Sequence, residues 1–151
     1  EPVVIGISNN MGRVMLGAIG SKSRVEFTVL GDAVNVAARI EELTKALGTQ
    51  ILCHEDIATG MPETASRKIG ALAIRGKENT VRVSDVFETD SEELRKSKLS
   101  YKDEFEMAME TPKVRDTGIL KLEFLASKHP EDLLLRNLKE FLRLESPEDL
   151  L

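Results

Sequence analysis

The stretch TVLGDAVNVAARIEE, at Thr28–Glu42, has the pattern of a strand end, a tight turn and a helix. The overlapping segment VEFTVL, at 25–30, alternates apolar and polar side chains as a half-buried strand does. Gly31 permits a sharp turn, and Asp32 stands where an N-cap residue would accept a backbone N–H. The sequence therefore predicts a strand, a turn and a helix in direct succession.

The predicted helix has two faces of different character. Its apolar residues recur at the spacing of one helix face: Val36, Ile40, Leu43 and Leu47. Asn35, Arg39 and Glu42 lie together about 100° around the helix from that stripe. Spacing alone indicates a solvated face with an Arg–Glu pair. The alternative is that Arg39 binds a phosphate through its planar guanidinium while Asn35 binds a nearby hydroxyl.

Length and composition narrow the possible classes of protein. The chain has 151 residues, 41% hydrophobic and 31% charged, so it can bury one moderate core but hardly two full domains. A formal net charge of -5 without a long basic block argues against nucleic acid as a partner. Its apolar runs are far shorter than the roughly 20 residues that span a bilayer. We therefore expect no direct membrane contact from this segment and a cytoplasmic location, and a membrane anchor elsewhere in the parent protein stays open.

The single cysteine and the first residues carry two further expectations. Cys53 excludes an intramolecular disulfide and is typical of a buried thiol in a reducing compartment. The chain opens with EPVVIGI, an apolar run without an initiating methionine. We therefore expect a fragment of a longer protein.

Strand patterns continue on both sides of the opening stretch. They predict strands at 3–7, 50–53, 67–75 and 80–88, a strand or short helix at 14–19, and a short helix at 55–59. The residues GKEN, at 76–79, have the composition of a hairpin turn. The sequence thus alternates strands and helices up to about residue 88.

Beyond residue 89 the composition changes to charged and helical segments. DSEELRKSKLS, at 90–100, is predicted to be a linker or a solvated helical start. Apolar stripes predict helices at 101–109 and 119–126. HPED predicts a third helix with Pro130 at its first position.

The string GDAVNVAARIEELT resembles the signature of class III adenylate and guanylate cyclase catalytic domains, and its flanks resemble the same family from about Val3 to Glu88. The resemblance implies an α+β fold, namely the C-terminal portion of a ferredoxin-like cyclase domain with a small helical appendage. We therefore divide the chain into a cyclase part at 1–89, a linker at 90–100 and a helical appendage at 101–151. The appendage also resembles tetratricopeptide-like helix pairs, although helices that complete a core give the same stripe.

The resemblance implies specific roles for five residues. Asn35 would orient the substrate ribose, and Arg39 would stabilise the α-phosphate in the transition state. Thr28, at the purine-reading position, matches the branch with threonine there, which is associated mainly with ATP. Lys77 and Arg75 fall in the basic hairpin that holds the β- and γ-phosphates, with solvated turn residues as the alternative for both.

The resemblance also implies a metal and a second half of the site. Mg or Mn is held in this family by two aspartates, which precede this segment together with a purine-reading lysine, and none of the three is present here. His54 and His129 stand apart from any ligand cluster, so we expect no metal ligands in this chain. The site would be shared with another cyclase half or a second protomer, as in a homodimer.

The predicted function is therefore part of an adenylate cyclase that converts ATP to cyclic AMP and pyrophosphate in signalling. The isolated fragment is expected to be inactive, because it lacks the metal-binding aspartates. Two alternatives stay open: a non-catalytic nucleotide-binding or dimerisation module derived from a cyclase, and a guanylate cyclase.

Overall fold

The computed structural model describes residues 5–21, 24–72, 80–110 and 117–144. In chain order the elements are β1 Ile7–Asn9, β2 Met15–Ser21, β3 Arg24–Leu30, α1 Asp32–Leu47, β4 Ile51–His54, α2 Glu55–Ala58, β5 Ser66–Leu72, β6 Val81–Val86, α3 Glu92–Ser100, α4 Lys102–Glu110, α5 Ile119–Lys128 and α6 Leu133–Leu144. The predicted α+β class is confirmed. The ambiguous segment at 14–19 is a strand, β2.

Two separate sheets hold the strands. The larger has four strands in the order β1-β4-β6-β5, with β1 parallel to β4 and the other pairs antiparallel. The smaller is the antiparallel hairpin β2–β3, in which Thr28 pairs with Gly17. The predicted turn at 76–79 lies outside the described residues.

Helix α1 follows β3 directly, as the opening stretch predicts. The helix begins at Asp32 and its N-cap is Gly31, so the assignment of Asp32 to the cap is wrong by one position. A Cβ at Gly31 would lie 2.9 Å from the carbonyl oxygen of Arg13, and this close approach requires glycine. As the first helical residue, Asp32 places a negative charge at the positive end of the helix dipole.

The apolar stripe of α1 forms the centre of the core. The four predicted stripe residues are all buried. They pack in one cluster with side chains of the four-stranded sheet and of the later helices, which include Leu52, Ile69, Val83, Phe105, Leu122, Leu134, Leu135 and Leu138. The later helices therefore complete the core of the sheet.

The segment for which a linker or a solvated helical start was expected forms helix α3 over most of its length. The Ser91 hydroxyl caps this helix by accepting a hydrogen bond from the Leu94 N–H at 3.3 Å. Lys98, within the same helix, is buried. The division of the chain at residues 89 and 100 stays a prediction.

Helix α6 begins later than its sequence pattern predicts. Pro130 is not in the helix, which starts at Leu133. The physical reason is that Asp132 is buried and uses one carboxylate oxygen to accept the Leu134 N–H at 3.1 Å. Its other carboxylate oxygen lies 2.6 Å from Arg67 Nη2, so Asp132 holds the turn before α6 against β5.

Five buried side chains fasten the later helices to the sheet and are called here the buried ionic cluster: Arg67, Asp85, Lys98, Tyr101 and Asp132. Arg67 Nη2 lies 2.9 Å from Asp85 Oδ2, and Lys98 Nζ lies 3.2 Å from the same oxygen. Arg67 Nη1 donates a hydrogen bond to Tyr101 OH at 3.0 Å. Burial by itself lowers the pKa of Arg67, but Asp85 and Asp132 outweigh it and raise the pKa overall. The guanidinium therefore stays charged in the interior.

Candidate functional site

The packing of α1 decides where its polar face points. The Ser8 hydroxyl donates to the Ala37 carbonyl oxygen at 2.7 Å, and Asn10 Nδ2 donates to the Ala33 carbonyl oxygen at 2.9 Å. These contacts hold one side of α1 against β1 and the residues that follow it. Asn35 and Arg39 are each two residues from Ala37, which is about 200° around a helix. Both therefore lie on the side of α1 away from β1.

The predicted site residues differ in exposure. Asn35 is exposed and Arg39 is half-buried. Thr28 is half-buried on β3, three residues before the N-terminus of α1. The structure thus places these three residues on two consecutive elements. Arg75 and Lys77 lie outside the described residues.

A cleft opens at the N-terminal end of α1. Its volume is about 450 Å³, and its walls include the residues after β1, the first turn of α1, the end of β4 and the start of β6. The charged and polar side chains in it include Arg13, Asp32 and His54. Thr80 also lines the cleft, and it directly follows the segment 73–79 that contains Arg75 and Lys77. The chain therefore leads from both basic residues to the edge of this cleft.

The three predicted site residues that the structure describes, Thr28, Asn35 and Arg39, do not line this cleft. Its charged and polar side chains Arg13 and His54 were not among the predicted site residues. In the sequence, Arg13 is an isolated basic residue that belongs to no motif. Only the tertiary structure places it beside α1. His54 caps α2, because its Nδ1 accepts the Asp56 N–H at 3.3 Å. This capping contact gives His54 a structural role at the end of β4 that requires no bound ligand.

The β2–β3 hairpin exposes apolar side chains on both of its faces. Its exposed large hydrophobic residues are Met15, Leu16, Ile19, Val25, Phe27, Val29 and Leu30. Phe27 keeps 81% and Leu16 keeps 72% of its surface in solvent. A two-stranded hairpin is marginally stable by itself in water, and contiguous apolar patches mark interaction surfaces. The hairpin therefore has the character of a surface that another polypeptide segment covers.

The described residues do not form a metal centre. Within the described ranges, no group of three or more His, Cys, Asp or Glu side chains is arranged to hold a metal ion. The Mg or Mn that the cyclase resemblance implies therefore does not fit the residues described here.

The described part of the chain also contains no helix with the length and apolar character needed to cross a bilayer.

Comparison with known proteins shows which proteins this chain resembles. No protein-family profile matches the chain. The adenylate cyclase of Anabaena cylindrica is 38% identical over 88 residues, which are 56% of this chain and 18% of that protein. The terminal-differentiation specific adenylate cyclase of Dictyostelium discoideum is 34% identical over 101 residues, which are 64% of this chain and 5% of that protein.

A solved structure of a bacterial light-regulated adenylyl cyclase is 32% identical, with a TM-score of 0.42, and the match covers 50% of this chain and 22% of that chain. The chain thus spans at most 18% of the length of the two curated relatives named above. The chain is thus similar in sequence to adenylate cyclases over 50–64% of its length.

Proposed function

We propose that this chain contributes the asparagine and arginine side of a shared adenylate cyclase site, in a parent protein that converts ATP to cyclic AMP and pyrophosphate. The observation that carries the proposal is the orientation of α1. Its core stripe and its β1-facing side are both occupied, and on the remaining side Asn35 is exposed and Arg39 is half-buried. An arginine in that position offers a permanent charge and a planar pair of donors to a phosphate.

In the proposed reaction the ribose 3′ oxygen attacks the α-phosphorus, and the bond to pyrophosphate breaks. Negative charge builds up on the α-phosphate oxygens as the transition state forms. Arg39 would stabilise that charge by positioned hydrogen bonds, which are worth most in a site closed to water. Asn35 would hold the ribose through its amide, which both donates and accepts hydrogen bonds.

The remaining substrate contacts are also proposals. Thr28 would contact the purine, since β3 carries it toward the start of α1. Lys77 and Arg75 would contact the β- and γ-phosphates from the segment between β5 and β6. The support for these contacts is the sequence similarity to adenylate cyclases, because Thr80, which follows that segment, lines a cleft beside Ala33 that contains neither Asn35 nor Arg39.

A second protomer or another cyclase half would complete the site. The exposed β2–β3 hairpin supports this arrangement, because its apolar side chains lie directly before α1 in the chain and face solvent. Covering them would also bring the partner next to the candidate site. Mg or Mn would then be held by residues of the partner half.

Arg39→Ala in the full parent protein tests the proposal by steady-state kinetics with ATP. We expect kcat to fall about 100-fold with KM changed only a few-fold, because the contact is strongest in the transition state. The matched control is Lys45→Ala, which removes one positive charge from an exposed position on the same helix. Its kinetics should stay close to those of the parent.

Three results would contradict parts of the proposal. An effect of Arg39→Ala confined to KM would make Arg39 a ground-state binding residue. A parent that binds ATP without turnover would indicate a binding module, and faster turnover of GTP than of ATP would indicate a guanylate cyclase. Cyclic AMP formation by the pure 151-residue chain would refute the sharing of the site between two halves.

A further inference from the structure

The groove between α4 and α5 is an apolar depression on the outside of the later helices. It has a volume of about 270 Å³ and is lined by Glu104, Met107, Lys121, Phe124 and Leu125. Met107 keeps 57% and Phe124 keeps 55% of its surface in solvent, and neighbouring Leu120 is also exposed. The opposite faces of α4 and α5 already supply the core, so these exposed side chains are not needed for it. The described structure leaves this apolar groove open to solvent.

The two walls of the groove carry opposite charges. On the α4 wall, the exposed acidic side chain of Glu104 lines the groove. The α5 wall exposes Lys121 and Lys128, and Lys128 Nζ lies 4.3 Å from the centre of the Phe124 ring. Neither Glu104 nor Lys121 is in an ion pair with another described residue. An apolar centre with charged margins is the usual composition of a protein interface.

We propose that the α4–α5 groove binds the same groove of a second copy of this chain, around a two-fold axis that runs along the groove. Such an axis places the acidic α4 wall of one copy opposite the basic α5 wall of the other. Glu104 and Lys121 then pair across the interface twice, because a two-fold contact repeats every interaction. This association uses a different surface from the β2–β3 hairpin and does not depend on the proposed cyclase function.

The choice of a second copy rests on this charge complementarity. A partner with one dominant charge would meet repulsion at one of the two walls, whereas the groove matches its own charge pattern. The exposed apolar area on each copy is small, so the expected dimer is weak. Such a weak contact gains strength when another interface already holds two copies together, because the effective concentration is then high.

The test uses charge reversal in the full 151-residue chain, measured by sedimentation velocity over a range of concentrations. Glu104→Lys and Lys121→Glu should each raise the homodimer dissociation constant about tenfold or more, because two attractive contacts become repulsive in each case. Combining both substitutions in one chain should restore the original constant. Lys45→Glu, at an exposed position on α1, makes the same charge change away from the groove and should leave the constant unchanged.

A mixing experiment separates this dimer from other associations. The Glu104→Lys and Lys121→Glu variants are mixed, one of them labelled with ¹⁵N, and the species are counted by native mass spectrometry. We expect mixed dimers well above the statistical half, since both interchain contacts are then attractive. A chain that stays monomeric at all concentrations overturns the proposal. A statistical proportion of mixed dimers also overturns the proposal, because the chains then associate through another surface. A dissociation constant that is unchanged in both single variants overturns the proposal for the same reason.

Discussion

Replacing Arg67 with methionine would remove the cation that two buried carboxylates share. Arg67 Nε and Nη2 each lie 2.9 Å from Asp85 Oδ2, and Nη2 lies 2.6 Å from Asp132 Oδ2. Methionine is long and apolar, so it keeps contact with Phe105, whose ring centre lies 4.6 Å from the guanidinium carbon. The substitution therefore tests the charge and its hydrogen bonds more than the packing.

The remaining contacts set the expected magnitude. Asp85 keeps Lys98 Nζ at 3.2 Å and the Thr49 hydroxyl, whereas Asp132 keeps the Tyr101 hydroxyl and the Leu134 N–H but loses its cation. Removing one partner of a buried ion pair costs about 3–5 kcal/mol. Because Lys98 still compensates Asp85, we expect the lower end, about 3 kcal/mol. That is a large part of the roughly 5–15 kcal/mol that stabilises a domain.

Urea unfolding followed by far-UV circular dichroism measures this loss. For a chain of this size, about 3 kcal/mol also corresponds to a decrease in Tm of roughly 6–12 °C. The matched control is Arg82→Met on β6, where the arginine is 56% exposed and lies 2.5 Å from Glu55. Such a surface pair contributes about 1 kcal/mol or less.

Two results would refute the reasoning about the buried ionic cluster. One is a decrease in the free energy of unfolding for Arg67→Met that is no larger than the decrease for Arg82→Met. The other is an early, separate unfolding of helices in the unmodified chain, because a shared core and a shared ionic cluster require the sheet and the later helices to unfold together.

Two further predictions follow from buried titratable groups. Burial by itself raises the pKa of Asp85, but Arg67 and Lys98 outweigh it and lower the pKa overall. The stability that ionised Asp85 provides is present above its unfolded pKa of about 3.9 and is lost as the pH falls through the lower folded pKa; urea unfolding between pH 7 and pH 3 should show this loss, and Asp85→Asn should reduce the slope. Burial, together with Asp85, raises the pKa of Cys53 to about 11, so at pH 8 a thiol reagent should modify the native chain about 100-fold more slowly than the chain in urea, and equal rates would contradict the buried position.

Part of the candidate site could be predicted from the sequence because its signals are local. The glycine turn and the stripe at Val36, Ile40, Leu43 and Leu47 follow from helix periodicity, and the structure buries all four. The same periodicity separates Asn35 and Arg39 from the stripe. Their roles toward a nucleotide come from the family resemblance and stay predictions. Arg75 and Lys77 lie outside the described residues. Thr80, the first described residue after them, lines the cleft at the N-terminal end of α1.

Other features were not predictable because they depend on distant residues. Arg67, Asp85 and Lys98 look like ordinary surface charges in the sequence, and their burial follows only from the pairing of β5 with β6 and the docking of α3. The same holds for Asp132, whose contact with Arg67 keeps the turn before α6 out of the helix.

The sequence by itself therefore determined the local elements: the strand, turn and helix of the opening stretch, and the amphipathic helices. Each depends on side chains within a few turns of one another, where periodicity and turn chemistry act directly. Only the tertiary structure decided that the later helices share a core with the sheet and that the β2–β3 hairpin lies outside it. Those outcomes depend on which charged and apolar faces meet at long range, and a one-dimensional pattern carries no information on that pairing.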